Sequence, residues 1–126
     1  MISTLHDYAR FAQMLLNGGE LDGARVLGRK TVELMSSNQI ASLTPRPAGA
    51  PAGFGFGVQV GVAAADTAAG LYSPGQFGWG GAAGTHVIID PRERLFALLL
   101  IQHSPGSEDG IQQKFSNIVY QALASP

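Results

Sequence analysis

No cysteine occurs among the 126 residues, which excludes a disulfide framework, thiolate chemistry and a cysteine zinc site, and leaves the redox compartment open. Charge is scarce too. Charged side chains make up 13% of the sequence and the formal net charge is -1. The eight Lys and Arg are scattered, so no basic patch points to nucleic acid. No apolar run approaches the roughly 20 residues of a membrane span. The opening "MISTLHDYAR" lacks the apolar stretch of a signal peptide and reads as a helix entrance. Neither a membrane partner nor a compartment follows. The histidines His6, His86 and His103 share no metal-ligand spacing, and no His-Glu-x-x-His helix is present, so no metal or cofactor is expected. A hydrophobic fraction of 45% is enough for a core, in one domain or part of one. So low a charged fraction implies surface covered by something else.

Local signals then divide the chain into a helical segment, 1–40, and a segment of antiparallel strands and a C-terminal helix, 54–126. Thr4 and Asp7 form a Thr-x-x-Asp cap. Leu5, Tyr8, Ala12, Leu15 and Leu16 follow at helical spacing on one face. Asn17-Gly18-Gly19 ends that helix, and "ELDGARVL" turns at Asp22-Gly23. A second helix is expected over 29–37, with Val32, Leu34 and Met35 apolar. "SLTPRPAGAPAG" and "AAADTAAGLYSPG" are loops, since Pro and Gly so dense sustain neither ladder nor helix. "FGFGVQVGV" alternates strictly and predicts a strand over 54–62, its glycines on a face that something approaches closely.

Further strands are expected in "QFGWGG", over 85–90 and over 95–101, the last two joined by a tight turn at Pro91-Arg92-Glu93. "LFALLLI" is apolar throughout and predicts a central strand covered on both faces. The last helix carries Ile111, Phe115, Ile118, Val119, Ala122 and Leu123 as one stripe, with Glu108 and Asp109 at its start. The fold class is α+β, an antiparallel sheet packed against helices. One face of 95–101 can take the last helix. The other needs a cover from the first two helices, a missing segment or another chain.

Chemistry concentrates in "GQFGWGGAAGTHVIIDP", around the single tryptophan. Residues 78–83 fit the dinucleotide pattern G-x-G-x-x-A, but a β pattern follows where that fingerprint needs a helix. Neither lysine follows a glycine-rich loop, so a P-loop is excluded as well. The acidic pairs Glu20/Asp22 and Glu108/Asp109 read as a turn and a helix start.

Four pieces, in order, carry a resemblance over nearly the whole chain: "STLHDYARFAQMLLNGGELDGARVLGRKTVELM", "GFGFGVQV", "GWGGAAGT" and "VIIDPRERLFALLLIQ". Together they resemble the C-terminal part of the serine β-lactamase-like hydrolases, the superfamily of class C β-lactamases, penicillin-binding DD-peptidases and family VIII esterases. The resemblance implies residues 1–126 as part of a β-lactamase-like α/β sandwich. Its third active-site motif, commonly Lys-Thr-Gly or His-Thr-Gly, falls on Trp79-Gly80-Gly81, lining the substrate cleft on the edge strand. Ala82, next in line, would offer its backbone N–H to the oxyanion hole, where one such donor is worth roughly 3 to 4 kcal/mol. Lysine at position 79 would attract a carboxylate. An indole offers one N–H and an apolar face, which favours neutral carboxylic esters.

The nucleophile motif is missing. No serine has lysine three places on, and no tyrosine has asparagine two places on, so Ser-x-x-Lys and Tyr-x-Asn are both absent. The expectation is the C-terminal fragment of an esterase-type serine hydrolase, inactive alone and acting on a small ester or amide once joined to its nucleophile-bearing N-terminal part. Two alternatives stand beside it: a non-catalytic interaction module that self-associates or pairs through an exposed sheet edge, and a small-ligand binder using the Trp79 groove.

Overall fold

The computed structural model describes residues 2–42, 53–62, 71–104 and 110–123. The first helix, α1 (Leu5–Leu16), starts where Thr4 Oγ1 accepts the Asp7 N–H at 3.1 Å and donates to Asp7 Oδ2 at 2.8 Å. It ends in a Schellman pair, Gly18 N–H to the Leu15 carbonyl and Gly19 N–H to that of Met14. Strands β1 (Glu20–Leu21) and β2 (Ala24–Arg25) pair around Asp22-Gly23, both at positive φ as a type I′ turn requires. Glu20 pairs with Arg25 across the hairpin, and Asp22 pairs with Arg10, which ties the hairpin to α1. Helix α2 (Arg29–Met35) follows.

Four strands make the main sheet: β3 (Gln59–Val60), β4 (Phe77–Gly80), β5 (His86–Asp90) and β6 (Leu95–Leu99), antiparallel in that order. The last helix is α3 (Ile111–Gln121). Alternation along the strands divides the sheet into two faces. Phe77, Val87, Ile89, Phe96 and Leu98 pack toward Ala12, Met14 and Leu15 of α1. Gly80, His86 and Asp90 meet Gln112, Ser116 and Tyr120 of α3. Burying Leu15, Phe77 and Ile89, each 3% exposed, contributes roughly 1.5–3 kcal/mol apiece. The class is α+β, as the alternation and helical spacing imply.

Several expectations need correction. The strand over 54–62 shrinks to Gln59–Val60, preceded by a turn that an isolated Phe54–Gln59 bridge closes. Gly57 bends the chain there at φ 77°, and glycines supply no side chains to hold a ladder. The segment's close approach is real at Gly55, where an added Cβ would lie 2.0 Å from the Met35 carbonyl oxygen. Strand β6 ends at Leu99 and is outermost, not central, among the described strands. Its apolar run reflects two covered faces, α1 on one and α3 on the other, rather than two paired edges. α1 packs on the face that α3 leaves open, and Leu95–Leu99 all stay partly exposed.

Helical stripes also shift. Leu5 is exposed while Met14 is buried. Leu34 is exposed, and α2 stops at Met35. On α3, Ile118 faces outward, as does Leu123 just past its end, because Gln112, Ser116 and Tyr120 find polar partners on the sheet and take the inner face. The loops at 43–52 and 63–70, and Glu108 and Asp109, lie outside the described residues.

Candidate functional site

The β4–β5 connection shapes the candidate site. Gly81 N–H donates to the Thr85 carbonyl at 2.8 Å and Gly84 N–H to that of Gly81 at 3.0 Å. Gly84 has φ 82°, which makes this a three-residue hairpin loop, a type I turn followed by a left-handed bulge. Ala82 and Ala83 are its corners. The Ala83 carbonyl accepts His103 N–H at 3.0 Å, tying the turn to the chain beyond β6. Ala82 is exposed, and its N–H makes no backbone hydrogen bond among the described residues.

Beside this turn, a cleft of about 500 Å³ opens between the start of α1 and the sheet. Trp79, Gly80 and Gly81 line it with Val87 and Leu98, and Ile2 and Tyr8 close the α1 side. No Asp, Glu, Lys or Arg lines it among the described residues. Trp79, Val87 and Leu98 are neighbours across β4, β5 and β6, so they form one apolar floor. The indole is 48% exposed and stands edge-on to Phe54, ring centroids 5.1 Å apart. Ala82 sits one step past the lining. Ser3 lines the cleft as well, its hydroxyl donated to the Thr4 carbonyl at 3.4 Å.

The motif strand is not the sheet's edge, contrary to the sequence expectation. Strand β3 pairs with Phe77 and Gly78 but stops before Trp79 and Gly80. So short a strand leaves the motif's outer side unpaired without leaving β4 outermost. The close neighbours of the motif glycines are also internal to the protein. An added Cβ would meet the Gln112 side chain at Gly80 and the Thr85 hydroxyl at Gly81.

Gln112, on α3, braces the hairpin from behind by donating to the carbonyls of Thr85 (2.9 Å) and Gly81 (3.3 Å). Periodicity could not single it out, since its only signal is a polar residue on a helix face turned to the sheet. His86 belongs to no motif in the sequence, and it lies at the α3 interface. Its Nε2 is 3.3 Å from Ser116 Oγ, its ring is edge-on to Phe115, and its buried Nδ1 has no partner among the described residues.

Burial lowers the His86 pKa below its ordinary 6.5. The unfolded chain therefore takes up this proton first as pH falls. The His86 contribution to stability is complete above pH 6.5 and is lost below it, down to the folded pKa. Urea midpoints measured at about pH 7.5 and about pH 5 should fall with acidification, and His86→Phe should flatten the dependence. An unchanged slope in that variant would place the acid sensitivity elsewhere.

No cluster of His, Asp or Glu able to hold a metal ion occurs among the described residues. On α3, Tyr120 is kept protonated well above its usual range by burial and then by the Asp90 carboxylate, so it cannot serve as a base near neutral pH. The described residues therefore offer a wall, a turn N–H and an apolar floor.

The Beta-lactamase family model matches residues 1–119. Two Mycobacterium tuberculosis proteins, uncharacterized protein MT1414 of strain CDC 1551 / Oshkosh and protein Rv1367c of strain ATCC 25618 / H37Rv, are each 42% identical over 112 residues. That match takes in 82% of this chain and 28% of each relative. A candidate beta-lactamase from Bacteroides dorei DSM 17855, solved by crystallography, superposes with a TM-score of 0.60 at 22% identity. It covers 94% of this chain and 39% of that one, and at this identity the likeness shows the fold. The chain thus spans less than a third of the mycobacterial proteins it matches. With the cleft motif, the hairpin and the helix-covered sheet all inside the matched residues, the chain belongs to the Beta-lactamase family.

Proposed function

We propose that this chain is one wall of the acyl-transfer cleft of a serine hydrolase, with neutral carboxylic esters as substrates. It is the C-terminal part of that enzyme, and the segment with the Ser-x-x-Lys nucleophile lies outside these 126 residues. One observation carries the substrate preference: the half-exposed Trp79 stands in a cleft with no charged side chain among the described residues. A substrate carboxylate would find no counter-charge there. The acyl carbonyl would lie along Gly80 and Gly81, and the N–H of exposed Ala82 would meet the oxyanion as the acyl-enzyme forms. The serine oxygen would attack the ester carbonyl and the alcohol would leave. Water would then release the acid and restore the serine.

The test uses a short-chain nitrophenyl ester and a chromogenic β-lactam, first with the 126-residue chain and then with the longer polypeptide bearing Ser-x-x-Lys. The chain alone should turn over neither. The longer form should cleave the ester, with kcat/KM at least about tenfold above that for the β-lactam, a difference of ~1.4 kcal/mol in transition-state binding. Turnover by the verified short chain, or a preference for the β-lactam, would sink the proposal.

A second reading rests on β6, whose outer edge is unpaired among the described residues. An apolar strand with free N–H and C=O groups invites another strand, and self-association through it would make the chain an interaction module. Sedimentation velocity decides: a monomer across the micromolar range removes this reading.

A further inference from the structure

We infer that Phe54 is the positioning residue that sets the Trp79 indole over the cleft, and that Asn38 holds Phe54 in place. This rests on the reading of Trp79 as the substrate-facing wall. Beyond its sheet neighbours Val87 and Leu98, the indole has one aromatic contact among the described residues. It is 48% exposed, and β3 stops pairing one residue before it. Phe54 meets it edge-to-face, with 5.1 Å between centroids and 89° between planes. That arrangement places the positive edge of one ring on the negative face of the other and favours one tilt of the pair.

Phe54 is itself pinned on both sides of its backbone. Its N–H donates to Asn38 Oδ1 at 3.2 Å, and its carbonyl accepts the Gln39 N–H at 2.8 Å. Asn38 Oδ1 also accepts the Ile40 N–H at 3.1 Å, which orients the amide. The next residues are anchored as well, with Phe56 N–H donating to the Met35 carbonyl at 2.9 Å. The turn following α2 thus fixes a ring, and the ring fixes the tilt of the indole at the cleft wall. Nothing in the motif Trp79-Gly80-Gly81 carries this information.

Trp79 is the only tryptophan, so its fluorescence reports the effect directly. Phe54→Leu keeps an apolar side chain and removes the ring. It should shift Trp79 emission to the red and raise acrylamide quenching by up to about twofold, the limit for an indole already 48% exposed, as the aromatic pair is lost. Phe54→Tyr keeps the ring and should behave as wild type. Asn38→Ala retains Phe54 and should move both readings in the same direction by less. If Phe54→Leu does not fold, Asn38→Ala decides by the same readings. Wild-type fluorescence in a folded Phe54→Leu or Asn38→Ala variant would overturn the proposal, as would Phe54→Tyr behaving like Phe54→Leu.

In the longer, Ser-x-x-Lys-bearing polypeptide, Phe54→Leu should raise KM for the ester with kcat retained. A fluorescence change with unaltered ester kinetics would leave Phe54 as the holder of the indole and remove Trp79 from the substrate wall.

Discussion

Replacing Gly78 with alanine is expected to destabilise the protein by roughly 3 kcal/mol, at the upper end of ordinary overpacking penalties. The added Cβ would stand 2.0 Å from the Val87 carbonyl oxygen and 2.9 Å from its carbon. Those are backbone atoms of the adjacent strand, so relief requires β4 to move off β5. Phe77 on one side is core and Trp79 on the other is cleft wall, so the strain reaches both. Gly80→Ala makes the contrast. The three atoms nearest its Cβ all belong to the Gln112 side chain, the first at 2.6 Å, and a glutamine can swing aside at the cost of its bonds to Gly81 and Thr85. Urea unfolding followed by circular dichroism should show a large loss for Gly78→Ala and a small one for Gly80→Ala. Equal losses would mean that close backbone approach is not what Gly78 serves.

Asp90→Ala should cost a similar amount, about 3 kcal/mol, through unmet hydrogen bonds rather than overlap. Asp90 is 0% exposed. Its Oδ1 accepts the N–H groups of Arg92 (2.9 Å) and Glu93 (3.1 Å), shaping the β5–β6 turn, and its Oδ2 accepts the Tyr120 hydroxyl at 2.6 Å. The same hydroxyl lies against the Gln76 side-chain amide. One carboxylate therefore joins the hairpin to α3. Asp90→Asn keeps an acceptor for the turn and should lose roughly half as much. Tyr120→Phe removes the hydroxyl that faces both Asp90 and Gln76 and should lose about 1.5 kcal/mol. If Asp90→Ala matched Tyr120→Phe, the turn contacts would contribute little, and the role assigned to Asp90 would reduce to its bond with α3.

Signals held within a few residues are legible in the sequence. The Thr4 cap, the Gly18-Gly19 stop, the Asp22-Gly23 turn, strand β5 and the turn after Asp90 all lie where local chemistry puts them. Legibility ends where partners are distant. Strict alternation over 54–62 predicts a strand, yet glycine leaves too few side chains to hold it to β4. Amphipathic spacing on α3 misses Gln112, because what turns that face inward is a pair of carbonyls on another element. His86 shows no motif, and its environment comes from α3, at the distant Ser116.

The sequence by itself determined the antiparallel α+β class, the position of the glycine-tryptophan hairpin and the absence of Ser-x-x-Lys, since each depends on residue type and near spacing. Only the tertiary structure decided that β6 is the last of the described strands, that α1 packs on it and that Phe54 meets Trp79. Apolar periodicity records whether a face is covered. It carries no record of which element covers it or whether a strand's edge is paired, because those are settled by long-range packing.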